Sequence, residues 1–463
     1  MGHKIGFNEY LDALKGKRVA VIGAGISNTP LIEALLTAGV DTTVRDKRPY
    51  AGLGEIAGSF ERLGAKFRLG DDYLINLNEE VIFRTPGLMP TNPAILDAIN
   101  RGSVLTSEME AFFDVCPCKI IAVTGSDGKT TTTTIIAEML KNEGFTVHIG
   151  GNIGTPLLNK ADEMKPDDFA VLELSSFQLI TMKKSPDIAV VTNLSPNHLD
   201  IHRDMEEYIE AKRNIFMHQK PTDLAVFNFE NKYTRAYAFE TPGEIMFFSS
   251  NGKVGNGVYL DNGAIYYEQG GLSDAIMQAD DIWLPGLHNI ENFMAAFAAV
   301  RGLVSFDAML KTARTFRGVA HRIELVRELH GVRYYNDSIA SSPSRTIAGL
   351  RAFDQKVILI AGGKDKGVAF DELGTEIISR VKTLVLTGLT AERIYNSVTD
   401  APGYAGEPEI VLCRDFEDAV KAAAEVAREG DVVLLSPACT SFDRFKNFEE
   451  RGTFFREIVK GLE

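Results

Sequence analysis

The sequence predicts an α/β fold built as three successive modules, and three observations carry that prediction. Short apolar runs alternate with helical segments along most of the chain, a pattern that favours parallel sheets covered by helices. Two of these runs lead straight into glycine-containing turns that open helices, at "KRVAVIGAGISN" and "KIIAVTGSDGKT". The 463 residues also exceed one comfortable hydrophobic core, and at roughly 150 residues per domain about three domains are expected.

The first module opens with "KRVAVIGAGISNTPLIEALLTAGVDTTVRD". This reads as a buried strand, a glycine turn, a helix ended by Gly39 and a second strand ending at Asp46, one βαβ unit. Its turn departs from the dinucleotide-binding fingerprint, because Asn28 stands where a third glycine would allow close helix packing. After a break near "TSEMEAFFDVCPCK" the second module repeats the strand-turn-helix order, and "FAVLELSSF" and "DIAVVTNLSP" follow as further buried strands. From about residue 318 a third module reads "GVRYYNDS", "KVILIAGGKDKG", "VKTLVLTG", "EIVLC" and "DVVLLSPAC", with helical segments between them. In open sheets of this class ligands sit beyond the carboxyl ends of the strands, so the residues just after each strand are the candidates.

Charge and composition narrow the function classes. With 49 basic and 63 acidic residues the net charge is -14, which argues against a nucleic-acid or anionic-membrane surface. Any phosphate must be gripped locally. Cys116, Cys118, Cys413 and Cys439 lack the paired spacing of a zinc site or redox dithiol and read as reduced thiols. No apolar run approaches the roughly 18 residues of a spanning helix, so no membrane insertion and a cytoplasmic setting are expected.

The stretch "AVTGSDGKTTTTT" carries the Gly128-Lys129-Thr130 core of a phosphate-binding loop, but Val123 occupies the position of the pattern's first glycine. Thr130 to Thr134 are poor helix formers. Nevertheless Ile135, Ile136, Met139 and Leu140 have helical spacing and Gly144 suits a C-cap. A helix N-terminus built against local propensity points to an anion that supports it. Lys129 would then reach the outer phosphates of a nucleotide, and the Thr130 hydroxyl would join a Mg²⁺ shell. The plainer alternative is a glycine turn before a threonine-rich helix.

In "DMEEYIEAKRNIFMHQ" one helical stripe collects Met205, Tyr208, Ile209, Ile215 and Phe216, with Lys212 in its middle. An inward lysine pairs with an acid, loses its proton through desolvation, or snorkels out along its stem. Glu173 inside "FAVLELSSF" and His198 in "NHLD" lie near strand ends, where a bound nucleotide would need its metal. His198 and His202 share i, i+4 spacing, but without a third ligand zinc is the weaker reading.

Nine ordered segments, among them "TGSDGKTT", "LELSSFQL", "NLSPNHLDIH", "EAKRNIF", "LPGLHNIENFMAA", "HRIE", "NDSIASSPSRT", "GGKDKG" and "SPACTSFDRFKNFEERG", resemble the Mur ligases over nearly the whole chain, most closely the branch that adds D-glutamate. The resemblance implies an N-terminal Rossmann-like UDP-substrate domain at 1–106. A P-loop ATPase-like central domain with a mainly parallel sheet follows at 107–317, and a Rossmann-like amino-acid-binding domain at 318–463. It implies ATP-dependent amide synthesis: a carboxylate on a UDP-linked substrate, UDP-N-acetylmuramoyl-L-alanine, is activated as an acyl phosphate and captured by the amine of D-glutamate. A monomer is expected.

Carried over by motif, Gly125, Ser126, Asp127, Gly128, Lys129, Thr130 and Thr131 serve ATP, with Asn289, Asn292, Arg322 and Asp337 around the adenine nucleotide. Thr130, Glu173, His198 and Lys212 form the metal region for two Mg²⁺ ions, Lys212 bearing a carbamate made with CO₂. Lys129, Glu173, His198 and Lys212 are the implied catalytic set. Gly25, Ile26, Ser27, Asp46, Gly87, Asn152, Ser175 and His198 are implied around the UDP substrate. Ser341, Lys366, Ser441, Phe442 and Phe448 are implied around D-glutamate, with Lys364 an alternative to Lys366. Ile339 stands where the family pattern often carries lysine. The competing expectations are a related Mur or folylpolyglutamate-type ligase, an NAD-binding dehydrogenase or sensor resting on "GAGISN" and Asp46, and a nucleotide-driven switch.

Overall fold

The computed structural model describes residues 5–198, 201–365 and 368–463. It is a mixed α/β fold with mostly parallel sheets, and it falls into two compact units, Met1–Phe316 and Arg317–Glu463. The second unit begins where the third module was expected to start.

In the first unit β1 (Arg18–Ile22), β2 (Asp41–Asp46), β3 (Lys66–Leu69), β4 (Val81–Phe83) and β5 (Val104–Thr106) form a parallel sheet in the order β3-β2-β1-β4-β5. The order reverses beside β1, so the carboxyl ends of β1 and β4 flank a crevice. Asn28, the departure from the glycine fingerprint, is buried and donates from Nδ2 to the carbonyls of Ile22 (3.1 Å) and Gly23 (2.9 Å). It ties the turn to the end of β1 instead of leaving room for a close approach. On the other side of the crevice the buried Arg84 donates to the carbonyls of Leu88 (2.8 Å) and Phe177 (2.7 Å), fixing the turn that contains Gly87.

The second sheet of this unit contains β6 (Lys119–Thr124), β7 (Val147–Gly151), β8 (Phe169–Glu173), β9 (Ile188–Val191), β10 (Leu224–Asn228), β11 (Glu244–Ser249), β12 (Asn256–Asp261), β13 (Ala264–Gln269) and β14 (Leu272–Gln278). Its order is β14-β13-β12-β11-β10-β9-β6-β8-β7, parallel from β7 through β12. β8 and β9 are buried throughout, as expected of strands covered on both faces. β12, β13 and β14 pair antiparallel through two-residue turns, Asn262-Gly263 (φ 47° and 80°) and Gly270-Gly271 (φ 61° and 82°). Positive φ at both turn residues matches the twist of a tight hairpin. A large apolar core runs through the first unit, from Val19 and Phe83 through Phe112 and Leu172 to Phe227, and a smaller cluster gathers Ile22, Leu77 and Ile82.

In the second unit β15 (Glu324–Leu329), β16 (Val332–Asn336), β17 (Val357–Ala361), β18 (Val381–Leu386), β19 (Glu409–Leu412) and β20 (Val432–Leu435) are ordered β15-β16-β20-β17-β18-β19. All pairs are parallel except β15–β16, a hairpin turned by His330-Gly331 (φ 50° and 74°). Among the described residues no helix is long and apolar enough to cross a membrane.

Candidate active site

The phosphate-binding loop follows β6 and closes against its neighbours. Gly125 (φ 146°) leaves no room for a side chain, since an added Cβ would collide with Thr192 Oγ1. Gly128 (φ 78°) is left-handed, and a Cβ there would collide with Asn292 Oδ1. Thr192 Oγ1 donates to the Asp127 carbonyl (2.6 Å), and Asn193 Oδ1 accepts from the Asp127 N–H (3.0 Å). The Ser126 hydroxyl donates to the Ser195 carbonyl (3.0 Å) and lies 2.9 Å from the Tyr208 hydroxyl. Backbone strain alone in Gly128→Ala is expected to cost about 1–2 kcal/mol, read as a lower melting temperature. An unchanged melting curve would count against both the left-handed strain at Gly128 and the close approach of Asn292.

The helix that follows spans Lys129–Glu143, with no side-chain cap at its start and Gly144 (φ 109°) at its end. Five threonines cost roughly 0.6 kcal/mol each against alanine, about 3 kcal/mol in total. Burial of Ile135, Ile136, Met139 and Leu140, at about 1.5–3 kcal/mol each, outweighs that cost. Packing therefore holds the helix, and Thr132 also hydrogen-bonds Asn292 Oδ1 (3.2 Å). Asn292 is thus brought to the loop, whereas half-buried Asn289 donates to the carbonyl of Pro285, just before its own helix (2.7 Å).

Glu173, at the end of β8, is buried and shared: Oε2 accepts from the Thr130 hydroxyl (2.6 Å) and Oε1 from Asn152 Nδ2 (2.8 Å). Lys129 Nζ donates to the Ser126 carbonyl (2.8 Å). Lys212 does not snorkel. It is 2% exposed, donates to Gly125 O (2.8 Å) and Thr124 Oγ1 (3.1 Å), and lies 4.8 Å over the Tyr208 ring. Burial, reinforced by the positive charge of Lys129, pushes its pKa well below the ordinary lysine value against the opposing pull of Glu173 and Asp127. Its helix, Met205–Arg213, is shorter than the expected stripe; Ile215 and Phe216 are buried in the turn beyond, where Asn214 Nδ2 donates to the Leu179 carbonyl (3.0 Å).

His198 has left-handed backbone (φ 56°) and lies edge-on to Phe177, with ring centroids 5.3 Å apart. His202 stacks on Phe177, while its ring nitrogens face the Ser176 hydroxyl (2.9 Å) and Glu207 (3.3 Å). Both ring nitrogens of His202 are thus engaged, and among the described residues no cluster of three or more His, Cys, Asp or Glu side chains is arranged to hold a metal.

Ile26, Ser27 and Asn152 line one cavity of about 230 Å³ together with Glu108, Gly151 and Gln178. Ile26, 84% exposed, presents an apolar surface at the end of β1. Gly25 precedes it, and Gly87 follows the cavity-lining Pro86. Ser175 acts as a helix cap, accepting from the Gln178 N–H (3.3 Å) and donating to Gln178 Oε1 (2.9 Å), and so holds Gln178 at the cavity wall. Asp46 is engaged at both oxygens, by the Ala24 N–H (2.8 Å), the Arg48 N–H (2.8 Å) and the Arg48 guanidinium. Burial would raise its pKa, but these donors outweigh it and hold the carboxyl below its usual range. Arg48 and Arg84 are residues that sequence reasoning missed; neither lies in a motif, and each is recognised only through what it clasps.

In the second unit Asp337 follows β16, buried, with Ser436 Oγ donating to it (2.8 Å). Burial pushes its pKa up to about 7, opposed by the Ser436 bond and by the charge of Arg322. Ser441 is buried, Phe442 is 62% exposed, and the Phe448 carbonyl accepts from the Ser338 hydroxyl (2.8 Å). Ser341 lies on the turn after Asp337, where its N–H donates to the carbonyl of Ile339 (2.8 Å). Lys364 pairs its backbone with Thr440; Lys366 lies outside the described residues.

Comparison with known proteins gives a consistent result. Residues 123–300 match the Mur ligase middle domain and 321–439 match the "Mur ligase, glutamate ligase domain". The UDP-N-acetylmuramoylalanine–D-glutamate ligase of Acetivibrio thermocellus is 52% identical, over 98% of this chain and 99% of the relative. That of Clostridium novyi is 49% identical, over 98% and 99%. Among solved structures, a UDP-N-acetylmuramate-alanine ligase from Thermotoga maritima shares the fold at TM-score 0.55 and 18% identity, covering 96% of this chain and 99% of that one. A MurF ligase from the same organism, solved with ADP, does so at TM-score 0.53 and 19% identity, covering 97% of each.

Proposed function

Because the chain belongs to the Mur ligase family, we propose that it is the ATP-dependent ligase that joins D-glutamate to UDP-N-acetylmuramoyl-L-alanine in peptidoglycan precursor synthesis. Full-length relatives at about half identity carry that name. The geometric observation that supports it most directly is a lysine sealed beside a phosphate-binding loop whose threonine is bonded to a buried glutamate. An NAD-binding reading leaves Lys212 and Glu173 without a role, and its ribose acid, Asp46, is engaged at both oxygens.

A carboxylate is inert toward amines until one oxygen becomes a leaving group. In the proposed reaction the carboxylate of the UDP-linked substrate attacks the γ-phosphorus of ATP, the bond to the β-phosphate oxygen breaks, and ADP leaves an acyl phosphate. The amine of D-glutamate then attacks the acyl carbon, and collapse of the tetrahedral intermediate expels phosphate. Lys129 swings from the Ser126 carbonyl to the transferring phosphoryl group, where fixed positive charge is worth most. Residues 125–131 cradle the phosphates, with Asn289, Asn292, Arg322 and Asp337 around the rest of ATP. Ser341, Lys366, Ser441, Phe442 and Phe448 hold D-glutamate, and Gly25, Ile26, Ser27, Asp46, Gly87, Asn152, Ser175 and His198 the UDP substrate.

The residues present fit magnesium and a lysine carbamate. Thr130 and Glu173 are hard oxygen donors one hydrogen bond apart, and an uncharged buried amine is the form of lysine that CO₂ modifies. Thr130, Glu173, His198 and a carbamate on Lys212 would hold two Mg²⁺ ions, which when bound neutralise the charge that develops on the phosphates. We assign three domains, 1–106, 107–317 and 318–463, the outer two Rossmann-like, in a monomer that works in the cytoplasm.

Phosphate release assayed with ATP, UDP-N-acetylmuramoyl-L-alanine and a panel of amino acids tests this reading. D-Glutamate is expected to exceed L-glutamate, L-lysine and diaminopimelate by at least about 100-fold in kcat/KM, the discrimination of a site whose buried polar groups go unpaired with the wrong ligand. Preference for another amino acid, or release independent of any, would overturn it.

A further inference from the structure

Glu108 and Glu110 face inward from one helix, Glu108–Val115, and only one of them is accounted for. Glu110 accepts from Ser107 Oγ (3.1 Å) and feels the positive charges of Arg84 and Lys184. Glu108 is 7% exposed; among the described residues no basic side chain is seen to act on it, the Leu158 N–H favours its anionic form, and its Oε1 is buried with no hydrogen-bond donor. An acceptor buried without a donor costs about 1–3 kcal/mol, and burial pushes this carboxyl up to about 7. Glu108 also lines the cavity shared by Ile26, Ser27 and Asn152, so the missing donor has a place from which to come.

We propose that Glu108 is a specificity-determining residue for the UDP-linked substrate, its carboxyl accepting a hydrogen bond from a hydroxyl or amide N–H of the amino sugar held in this cavity. The inference rests on the proposed function, which places that substrate here. A carboxyl without a cationic neighbour repels a diphosphate, so its partner is a neutral donor. Asn152, on the cavity wall, is bonded to Glu173 beside the phosphate loop, while Ile26 and Ser27 on the same wall follow β1, so a ligand that reaches from one to the other shares its cavity with Glu108.

Calorimetric titration of the full chain with UDP and with UDP-N-acetylmuramoyl-L-alanine tests this. Glu108→Ala and Glu108→Leu remove the acceptor; Glu108→Gln keeps an acceptor oxygen at the same size. Both acceptor-free variants are expected to bind the sugar-linked ligand about tenfold more weakly or worse, with UDP unchanged and Glu108→Gln near the unmodified affinity. Either acceptor-free variant that keeps the unmodified melting temperature suffices for the comparison. Equal weakening of both ligands, or of neither, overturns the role of Glu108 while leaving the ligase reading intact. Failure of the unmodified chain to bind the sugar-linked ligand overturns both.

Discussion

Lys129→Ala abolishes ligase turnover, lowering kcat by on the order of 10³-fold while the melting temperature holds. Two losses combine. The first is the positive charge that the transferring phosphoryl group requires. The second is indirect: the charge of Lys129 helps to keep Lys212 unprotonated, so its removal raises the proton affinity of Lys212 and shifts it away from the form that reacts with CO₂. The Lys129 ammonium donates to the Ser126 carbonyl within its own loop, a contact between near neighbours whose loss is expected to cost the resting fold little. Phosphate release at saturating substrates measures the effect. A kcat within tenfold of the unmodified chain would remove Lys129 from the mechanism.

If Lys212 bears the proposed carbamate, Lys212→Ala is expected to lower kcat by at least about 100-fold, and short carboxylic acids such as acetate should restore part of the activity. Rescue separates the proposed carbamate from a structural part for Lys212, because acetate supplies carboxylate oxygens to the vacated space but cannot donate hydrogen bonds to Gly125 and Thr124 as the lysine amine does. Lys212→Met keeps the stem without the amine and serves as the control for packing. Full activity in Lys212→Ala, or rescue by methylamine rather than acetate, would mean that the lysine acts as an amine.

Much of this site was legible because its signals are local. The glycine turns after β1 and β6, the C-cap at Gly144 and the buried strand ends at Glu173 and Asp337 depend on backbone geometry and burial that neighbouring residues dictate. Lys212 was legible as a contradiction, a charge on an apolar stripe. Three hairpins with two-residue turns, Asn262-Gly263, Gly270-Gly271 and His330-Gly331, lie outside the sequence expectations; of these, Asn262-Gly263 carries the strongest short-range hairpin signal. Long-range clasps were out of reach. Arg84 reaches Phe177, 93 residues on, and nothing near Arg84 in the sequence announces it. Ile215 and Phe216 fit a helical period, yet Asn214 is drawn to the Leu179 carbonyl and the chain turns early. A period shows which residues are buried, not where the hydrogen bonding stops.

Glu173 bonds the helix that follows the phosphate loop with one oxygen and the wall of the neighbouring cavity with the other. A nucleotide that draws Thr130 away frees one side of that carboxylate, and a sugar that draws Asn152 away frees the other. Thermodynamic reciprocity requires that whatever help one guest gives the other is returned in equal measure. Glu173 is thus a single group through which occupancy of the loop and occupancy of the cavity would bear on each other.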